Sequence, residues 1–201
     1  MTYLVTGGAG FIGSHVVRDL VREGEKVIVY DNFPRTGLLE QLLNRDEIEK
    51  HVKIVQGDVT DYSLLLKTLR DNEAAKVIHL AAVMILEFNA NPLLGVRVNL
   101  EGTAVVFEAA RFLGIKKVVW ASSGSVFGPG TMYREEYIPN DAPHYPQNLY
   151  GGAKSFNELL AAHYISRYGL DITALRFVMV YGPGQMNGRT AAIMRQMVYN
   201  P

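Results

Sequence analysis

The sequence of 201 residues contains no cysteine. Disulfides, thiolate metal sites and a cysteine nucleophile are therefore excluded, and a cytoplasmic location becomes the default expectation. An excess of charge of one sign is also lacking, because 20 Lys and Arg residues balance 20 Asp and Glu residues. Such a neutral chain has no basic field to attract nucleic acid or anionic lipid.

Long hydrophobic runs are missing as well. The longest unbroken apolar run, residues 80–86, falls far short of the roughly 20 residues that span a bilayer, and no charged-then-apolar leader precedes it. We therefore expect neither membrane insertion nor export. The five histidines show no short metal-ligand spacing, so no metal site is expected. With 48% hydrophobic and 20% charged residues, the composition predicts an ordinary globular domain.

Short apolar segments alternate with segments of helical periodicity along the chain. The predicted strands are 2–6, 26–30, 52–56, 76–80, 117–121 and 171–177, and the predicted helices are 11–23, 38–49, 61–72, 92–113, 150–168 and 188–199. Residues 122–149 are rich in Gly, Pro and Asn and are predicted to form a long active-site loop. Apolar strands separated by helices predict an α/β fold, a doubly wound parallel sheet with helices on both faces.

Three glycines mark the turn from the first predicted strand into the first predicted helix, at Gly7, Gly10 and Gly13. Glycine lets backbone approach a diphosphate, and a helix N-terminus offers free N–H groups and a partial positive charge. A dinucleotide pyrophosphate fits such a site. The spacing is GxxGxxG where ordinary dinucleotide folds have GxGxxG, and glycine clusters are also common in simple turns.

The second predicted strand ends in a carboxylate, Asp31. A carboxylate at this place can accept both hydroxyls of the adenosine ribose and repel a 2′-phosphate, which favours NAD over NADP. Two alternatives stay open at this point. Asp31 can instead cap the turn that follows it, and the nearby Arg35 can accommodate NADP.

Later strands place a carboxylate and two small residues at the same edge of the sheet. Asp58, after the third strand, can meet the adenine amino group, or it can serve as the N-cap of the next helix. Ala81 and Ala82, after the fourth strand, are small enough for a cofactor to lie against the backbone. Tight packing between the strand and the following helix is an alternative explanation for the two alanines.

Tyr150 and Lys154 are four residues apart at the start of a predicted helix and share one face. They follow the loop at the edge where open α/β sheets bind ligands. A lysine cation and a positively charged nicotinamide ring are expected to lower the tyrosine pKa from ~10, so that Tyr150 can act as a general base. Ser123 can hydrogen-bond the same substrate hydroxyl, although loop capping explains Ser122 or Ser125 taken alone.

Seven motifs follow one another over essentially the whole chain: TGGAGFIGSH at 6–15, GDVTD at 57–61, HLAA at 79–82, NLEGT at 99–103, SSGSVFG at 122–128, YGGAK at 150–154 and LRFVMVYGPG at 175–184. Together they resemble the extended short-chain dehydrogenase/reductases, in their NAD-dependent epimerase/dehydratase group. The resemblance implies an NAD-binding Rossmann domain with the catalytic residues over 1–181. It also implies a substrate-binding region that begins at 182–201 and is largely absent from this chain.

The resemblance further implies a role for each matched residue. Tyr150 is the implied base, Ser123 shares the substrate hydroxyl, and Lys154 holds the nicotinamide ribose and tunes Tyr150. The implied cofactor contacts are Gly7, Gly10, Phe11, Ile12 and Gly13 at the pyrophosphate, Asp31 and Asn32 at the adenosine ribose, Asp58 and Val59 at the adenine, and Ala81, Ala82 and Ser122 along the cofactor. Asn99, Tyr150 and Lys154 complete the implied cofactor-binding set, and Asn99 is also implied to support the active site.

The chain departs from the family pattern at four positions. Dehydratases and decarboxylating relatives carry an acid just before the Val-Tyr/Phe-Gly, where this chain has Gly124 and Ser125. Elimination would lack its acid, so oxidation, reduction or epimerisation is favoured. Met84 lies near a lysine of some epimerases, and Met179 replaces an Asn that helps hold the substrate diphosphate. A thioether offers no such hydrogen bond.

Three functional hypotheses follow from the resemblance. The first is an NAD-dependent nucleotide-sugar 4-epimerase, which forms a transient 4-keto sugar by hydride transfer to bound NAD and back. The second is an NAD-dependent dehydrogenase or reductase of a sugar or small alcohol, favoured by Met84 and Met179. The third is an NAD-binding fragment without catalysis.

Two predicted helices, 92–113 and 150–168, carry apolar residues over a wide arc. In relatives the equivalent pair packs against its copy as a four-helix interface, so the resemblance implies a homodimer. The alternative is that these residues face only the sheet of their own chain. The other expected partner is a nucleotide-sugar or another small hydroxyl substrate, with no nucleic acid and no membrane.

Overall fold

Six parallel strands form one sheet in the computed structural model, which describes residues 1–134, 137–185 and 192. The strands are β1 (Thr2–Thr6), β2 (Lys26–Asp31), β3 (Val52–Gln56), β4 (Lys76–His79), β5 (Lys117–Ser123) and β6 (Ile172–Phe177). Their order across the sheet is β3-β2-β1-β4-β5-β6. The direction of winding therefore reverses between β1 and β4, and open α/β sheets bind ligands at such a switch point.

Within the described residues, the α-helices are α1 (Phe11–Arg22), α2 (Gly37–Leu42), α3 (Arg45–His51), α4 (Tyr62–Asp71), α5 (Ile85–Ala90), α6 (Pro92–Val96), α7 (Gly102–Leu113) and α8 (Leu149–Tyr168). They bury apolar side chains on both sides of the sheet. Leu4 of β1 belongs to a core with Leu65 and Phe107, whereas its neighbour Val5 belongs to a second core with Val17. Because successive strand residues point to opposite faces, the doubly wound prediction is confirmed.

The strands are in register, so that their carboxyl ends meet at one edge. Thr6 at the end of β1 pairs with Tyr30 of β2 on one side and with His79 of β4 on the other. His79 pairs in turn with Trp120 of β5, three residues before the strand ends at Ser123. The polar residues that follow these strands are thereby collected around one edge of the sheet.

The prediction of a single helix over 38–49 is wrong, because an N-cap divides this segment into α2 and α3. The Asn44 side chain accepts a hydrogen bond from the Glu47 N–H at 2.9 Å, and the Glu47 carboxylate accepts one from the Asn44 N–H at 2.8 Å. This reciprocal capping box satisfies two N–H groups at the start of α3. Leu43, with an extended backbone, ends α2 just before the cap.

The predicted helix over 92–113 is helical throughout but contains a widened turn. A π-helical turn, Arg97–Glu101, joins α6 to α7, and it carries the buried Asn99. Such π turns often occur at functional sites. The six-residue helix α5 was missed, because it begins inside the apolar run over 80–86 and shows no full amphipathic period.

The predicted loop over 122–149 begins two residues later than expected, since β5 extends to Ser123. Two 3-10 turns, Gly124–Val126 and Gly130–Met132, interrupt the loop. The predicted helix over 188–199 lies outside the described residues, apart from the helical Ala192. Among the described helices, none combines the length and the hydropathy needed to cross a membrane.

Candidate active site

The turn between β1 and α1 is built from glycines for steric reasons. Gly7 has φ +66, and a Cβ at this residue would lie 2.8 Å from the Ala81 nitrogen. A Cβ on Gly13 would collide with the Gly7 carbonyl oxygen. Side chains are therefore excluded from both places, and the backbone of the turn packs directly against the residues after β4.

The first turn of α1 is left open to a ligand. Gly10 is the N-cap residue, and within the described part of the chain no side chain caps this helix. The N–H groups at the start of a helix have no partner inside the helix, and they carry the positive end of its dipole. A negatively charged group is the natural ligand for such a helix end.

A cavity of about 370 Å³ lies over this turn, at the carboxyl edge of the sheet. Eight of the predicted cofactor residues line it: Gly7, Gly10, Asp31, Asn32, Asp58, Val59, Ala81 and Ala82. The other lining residues, which sequence reasoning missed, are Tyr30, Gly57, Leu80, Val83, Glu87, Leu94 and Val98. The remaining predicted residues, Phe11, Ile12, Gly13, Asn99, Ser122, Tyr150 and Lys154, are not part of the lining.

Asp31 connects the glycine turn to the loop after β2. Its carboxylate accepts hydrogen bonds from the Phe33 N–H at 2.9 Å and from the Ala9 N–H at 3.2 Å. The turn-capping alternative is thus present in the structure, alongside a place in the cavity wall. Arg35 lies with its guanidinium 4.5 Å from the ring centroid of Phe33.

Asp58 does not cap the next helix, so the N-cap alternative for this residue is wrong. Asp61 is the N-cap of α4, and its side chain accepts from the Leu64 N–H at 2.9 Å. The Asp58 carboxylate instead accepts from the Thr60 N–H at 2.9 Å and from the Thr60 hydroxyl at 2.8 Å. These local bonds hold Asp58 in the cavity wall.

Ser123, Tyr150 and Lys154 come together where β5 ends and α8 begins. All three are buried, with exposed fractions of 8%, 6% and 2%. The Asn148 side chain caps α8 by accepting from the Gly151 N–H at 2.8 Å, which fixes the turn that carries Tyr150. The Lys154 Nζ donates to the Ala121 carbonyl at 2.7 Å and lies 5.4 Å from the ring centroid of Tyr150.

Burial is the main influence on the pKa values of Tyr150 and Lys154. Burial raises the pKa of Tyr150, and a hydrogen bond with Ser123 offsets part of that rise. Burial lowers the pKa of Lys154 to about 8. The expected lowering of the Tyr150 pKa by Lys154 is therefore not produced by the protein's own groups. The physical reason is that removal from water penalises both charged forms.

A buried polar chain lies below the cavity, from Thr6 through His79 to the π turn. The single hydroxyl proton of Thr103 goes to the Asn99 carbonyl at 2.8 Å, so this hydroxyl accepts from His79 Nε2 at 3.1 Å. His79 Nδ1 then accepts from the Thr6 hydroxyl at 2.7 Å. Every hydrogen bond is satisfied by a neutral imidazole protonated on Nε2. Burial, with a smaller contribution from the Lys154 charge, lowers the pKa of His79 to about 3.

Asn99 supports the cavity wall through its side chain. Its Oδ1 accepts from the Val83 N–H at 2.8 Å, and its Nδ2 donates to the Val83 carbonyl at 2.8 Å. The Asn157 side chain of α8 donates to the Asn99 carbonyl at 2.6 Å. Both polar atoms of the Asn99 side chain thus bond to Val83, a residue of the cavity wall. Sequence reasoning missed Thr6, Thr103 and Asn157, although a polar residue at the end of an apolar strand is a signal that marks Thr6.

A group of three or more acidic or histidine side chains able to hold a metal ion does not occur in the described ranges 1–134 and 137–185. The described residues instead bring a buried tyrosine together with a serine and a lysine at the edge of the sheet that holds the cavity.

Comparison with known proteins agrees with this arrangement. The model of the NAD dependent epimerase/dehydratase family matches residues 3–200. The chain belongs to this family. Curated relatives of this family member include UDP-glucuronate 4-epimerase 4 of Arabidopsis thaliana, 36% identical over 195 residues, which cover 91% of this chain and 42% of the relative. UDP-glucose 4-epimerase of Lactobacillus helveticus is 36% identical over 183 residues, covering 90% of this chain and 52% of the relative.

Solved structures of the family superpose well on this chain. The UDP-glucose 4-epimerase of Thermus thermophilus, in complex with NAD, has a TM-score of 0.83 at 33% identity and covers 96% of this chain. The dTDP-glucose 4,6-dehydratase DesIV of Streptomyces venezuelae has a TM-score of 0.85 at 28% identity and covers 99%. The alignments span 60% and 63% of those two chains, and the chain spans about half the length of the curated relatives it matches.

Proposed function

We propose that this chain is the cofactor-binding and catalytic part of an NAD-dependent UDP-sugar 4-epimerase. The observation that carries the proposal is the meeting of Ser123, Tyr150 and Lys154 at the edge of the sheet that also holds the cavity, where Tyr150 packs in one apolar cluster with Val83 of the cavity wall. In this proposal residues 1–181 form the NAD-binding unit and 182–201 begin the substrate-binding region. The cytoplasmic location stays a prediction.

The cavity suits a dinucleotide with an unphosphorylated ribose. The open first turn of α1, at Phe11, Ile12 and Gly13, is placed to bind the pyrophosphate. Asp31 and Asn32 lie where the adenosine ribose would bind, and Asp58 with Val59 where the adenine would bind. When bound, NAD would supply a reversible two-electron oxidation of the sugar carbon. The Asp31 carboxylate repels a 2′-phosphate, so NADP is the disfavoured form.

Tyr150 is the proposed proton carrier. Its phenolic oxygen takes the proton of the substrate 4-hydroxyl and later returns it, while Ser123 holds the same hydroxyl in place. Burial opposes the tyrosinate, so its formation needs a nearby cation. Lys154, whose Nζ is held on the Ala121 carbonyl 5.4 Å from the tyrosine ring centroid, is one such cation, and the positively charged nicotinamide ring of bound NAD would be the other.

Epimerisation is favoured over elimination by the residues after Ser123. Gly124 and Ser125 form a 3-10 turn there, and neither side chain can act as the acid that an elimination requires. The Ser125 N–H donates to the Ser123 hydroxyl oxygen at 3.1 Å, so the turn positions the catalytic serine.

A dehydrogenase or reductase of a sugar or small alcohol is the second candidate. Met84 and Met179 are 59% and 58% exposed, and their thioethers cannot donate a hydrogen bond to a substrate diphosphate. A substrate without a nucleotide would not need one. This candidate differs from the first in its product, because the ketone is released and NADH accumulates.

The proposed homodimer uses the helices α6, α7 and α8. Leu93 is 71% exposed, and Leu159 and Phe156 on α8 are 70% and 52% exposed. These side chains do not face the sheet of their own chain, and water contact with large apolar groups favours association. Sedimentation at micromolar concentration should give a dimer, and Leu159→Asp should give a monomer. A wild-type monomer would overturn this part of the proposal.

The first experiment is to denature the purified protein and identify the nucleotide that it releases. We expect NAD and no NADP. The second is incubation with UDP-glucose and with UDP-glucuronate, in which the C4 epimer should form. Tyr150→Phe should retain NAD but lose about 10²- to 10⁴-fold in rate.

Other outcomes point to other functions. Accumulation of NADH with an alcohol, without an epimer, would identify a dehydrogenase. A 4-keto-6-deoxy product would identify a dehydratase. Release of NAD by a wild type that is as inactive as Tyr150→Phe would identify a cofactor-binding fragment without catalysis.

A further inference from the structure

Helix α8 contacts β5 through three polar side chains spaced by four residues. Tyr150 interacts with Ser123, Lys154 donates to the Ala121 carbonyl at 2.7 Å, and Glu158 accepts from the Ser122 hydroxyl at 2.6 Å. Residues four apart in a helix lie along one face. The proposed function uses the first two side chains and gives no role to the third.

Glu158 is held in a fixed position by Arg176 of β6. Its Oε1 accepts from Arg176 Nε at 2.9 Å, and its Oε2 accepts from Arg176 Nη2 at 2.6 Å. The two side chains are only 14% and 21% exposed. Burial alone would raise the pKa of Glu158, but hydrogen bonds from Arg176 and Ser122 lower it. A two-point Arg–carboxylate pair of this kind fixes orientation as well as charge.

The active-site loop is tied to the same pair. Arg176 Nη1 donates to the Asn140 carbonyl at 2.6 Å, and its guanidinium lies 4.6 Å from the ring centroid of Phe127. Arg176 Nη2 also donates to His144 Nε2 at 3.1 Å, and His144 Nδ1 donates to the Ser155 hydroxyl at 2.8 Å. One ion pair therefore joins β5, β6, α8 and both ends of the loop that follows Ser123.

We propose that Glu158, oriented by Arg176 and His144, is a positioning residue that sets Ser123 against Tyr150 by holding the hydroxyl of Ser122. Ser122 and Ser123 are successive residues of β5, and both side chains interact with α8. The Ser122–Glu158 hydrogen bond therefore holds the end of β5 against α8, and with it the backbone that carries the Ser123 hydroxyl. The catalytic consequence rests on the proposed function, whereas the structural consequence does not.

The test compares Glu158→Gln and Ser122→Ala with a matched control at the other end of the same strands. Asp171→Asn removes the partner of Lys117, whose Nζ lies 2.5 Å from the Asp171 carboxylate at the amino ends of β5 and β6. Two readouts are used. One is the ¹³Cζ resonance of Tyr150 in tyrosine-labelled protein, assigned by its loss in Tyr150→Phe. The other is the steady-state rate with the UDP-sugar.

Glu158→Gln and Ser122→Ala should shift the Tyr150 resonance and lower kcat about 10- to 100-fold, with little change in KM, because a small misplacement of a catalytic group slows the chemical step. Ser122→Thr, which restores the hydroxyl, should recover most of the rate. Asp171→Asn should change neither readout. Should Glu158→Gln fail to fold, Ser122→Ala removes a single oxygen and carries the test.

An unshifted Tyr150 resonance in both variants would overturn the positioning proposal. If the wild type is active, a wild-type kcat in both variants would overturn it as well. A wild type without activity whose Tyr150 resonance still moves in Glu158→Gln would overturn the proposed function and keep the positioning role. The two failures are therefore distinguishable.

Discussion

Helices α1 and α8 both begin at the carboxyl edge of the sheet, but they contribute to the site in opposite ways. The first turn of α1 has glycine as its N-cap and offers backbone N–H groups. The first turn of α8 is closed by the Asn148 side chain, and the first two turns present Tyr150 and Lys154. In the proposed site, backbone N–H groups that bind a ligand require a turn without side chains, as in α1. Side chains that react require a helix start whose N–H groups already have partners, as in α8.

The same substitution in the two helices should therefore have opposite effects. Gly13→Ala places a Cβ against the Gly7 carbonyl, whereas Gly152→Ala in α8 meets no atom within 4 Å. Alanine is the better helix former by about 1 kcal/mol, so Gly152→Ala should raise the free energy of unfolding. Gly13→Ala should lower it by about 1–3 kcal/mol or more and abolish retention of NAD.

Urea denaturation and analysis of the released nucleotide measure both effects. If Gly13→Ala has wild-type stability and wild-type NAD content, the explanation that the turn requires glycine for steric reasons is wrong. A destabilised Gly152→Ala would show that the space beside α8 is not open.

The next largest effect is expected where the two regions are joined. His79 connects Thr6, next to the glycine turn, with Thr103, next to the π turn. His79→Leu leaves the Thr6 hydroxyl without its acceptor, and an unsatisfied buried polar group costs about 1–3 kcal/mol. The exposed His163 offers a matched control, since His163→Leu removes an imidazole from the surface of α8. Equal stability of the two variants would contradict the role of the buried chain.

His79 also predicts a dependence of stability on pH. Its pKa is lowered from 6.5 to about 3 by burial, so the unfolded chain binds this proton at a higher pH than the folded protein does. The free energy of unfolding should therefore fall as pH decreases from about 6.5 toward 3, by up to about 1.4 kcal/mol per pH unit from this residue. His79→Leu should lose that part of the slope, and a wild-type slope in the variant would contradict it.

The smallest expected effect concerns the cavity wall at β2. Asp31→Asn keeps an oxygen for the Phe33 N–H but removes the negative charge. Without that charge a 2′-phosphate is no longer repelled, and the affinity for NADP relative to NAD should rise about tenfold, or 1.4 kcal/mol. Equilibrium binding of the two nucleotides measures the ratio. An unchanged ratio would show that another residue discriminates between the two nucleotides, and Arg35, which stacks on Phe33, would be the next residue to test.

The parts that could be predicted from the sequence are those that depend on local pattern. The strands and the glycine turn follow from apolar runs and from the steric demands on Gly7 and Gly13, and eight of the predicted cofactor residues line the cavity. Tyr150 and Lys154 could be paired because a helix brings residues four apart to one face. The placement of Asp31 between two backbone N–H groups was also within reach, since Asp commonly caps turns.

The parts that could not be predicted depend on contacts between distant segments. Glu158 and Arg176 meet only after β5, β6 and α8 have packed, and neither residue carries a local signal. The division between α2 and α3 was missed because the capping box of Asn44 lies inside an otherwise helical pattern. The effect of burial, which raises the pKa of Tyr150 in the protein by itself, was also missed, because burial of a single side chain is a property of the whole fold.

Trp120 gives the candidate active site a built-in optical probe. It is the only tryptophan of the chain and is fully buried in β5. Its ring centroid lies 5.3 Å from the Nζ of Lys154. All indole emission from this protein therefore originates directly beside the lysine whose pKa burial lowers to about 8. Loss of the ammonium charge in mildly alkaline solution should be visible in the intrinsic fluorescence, without any label and without any turnover.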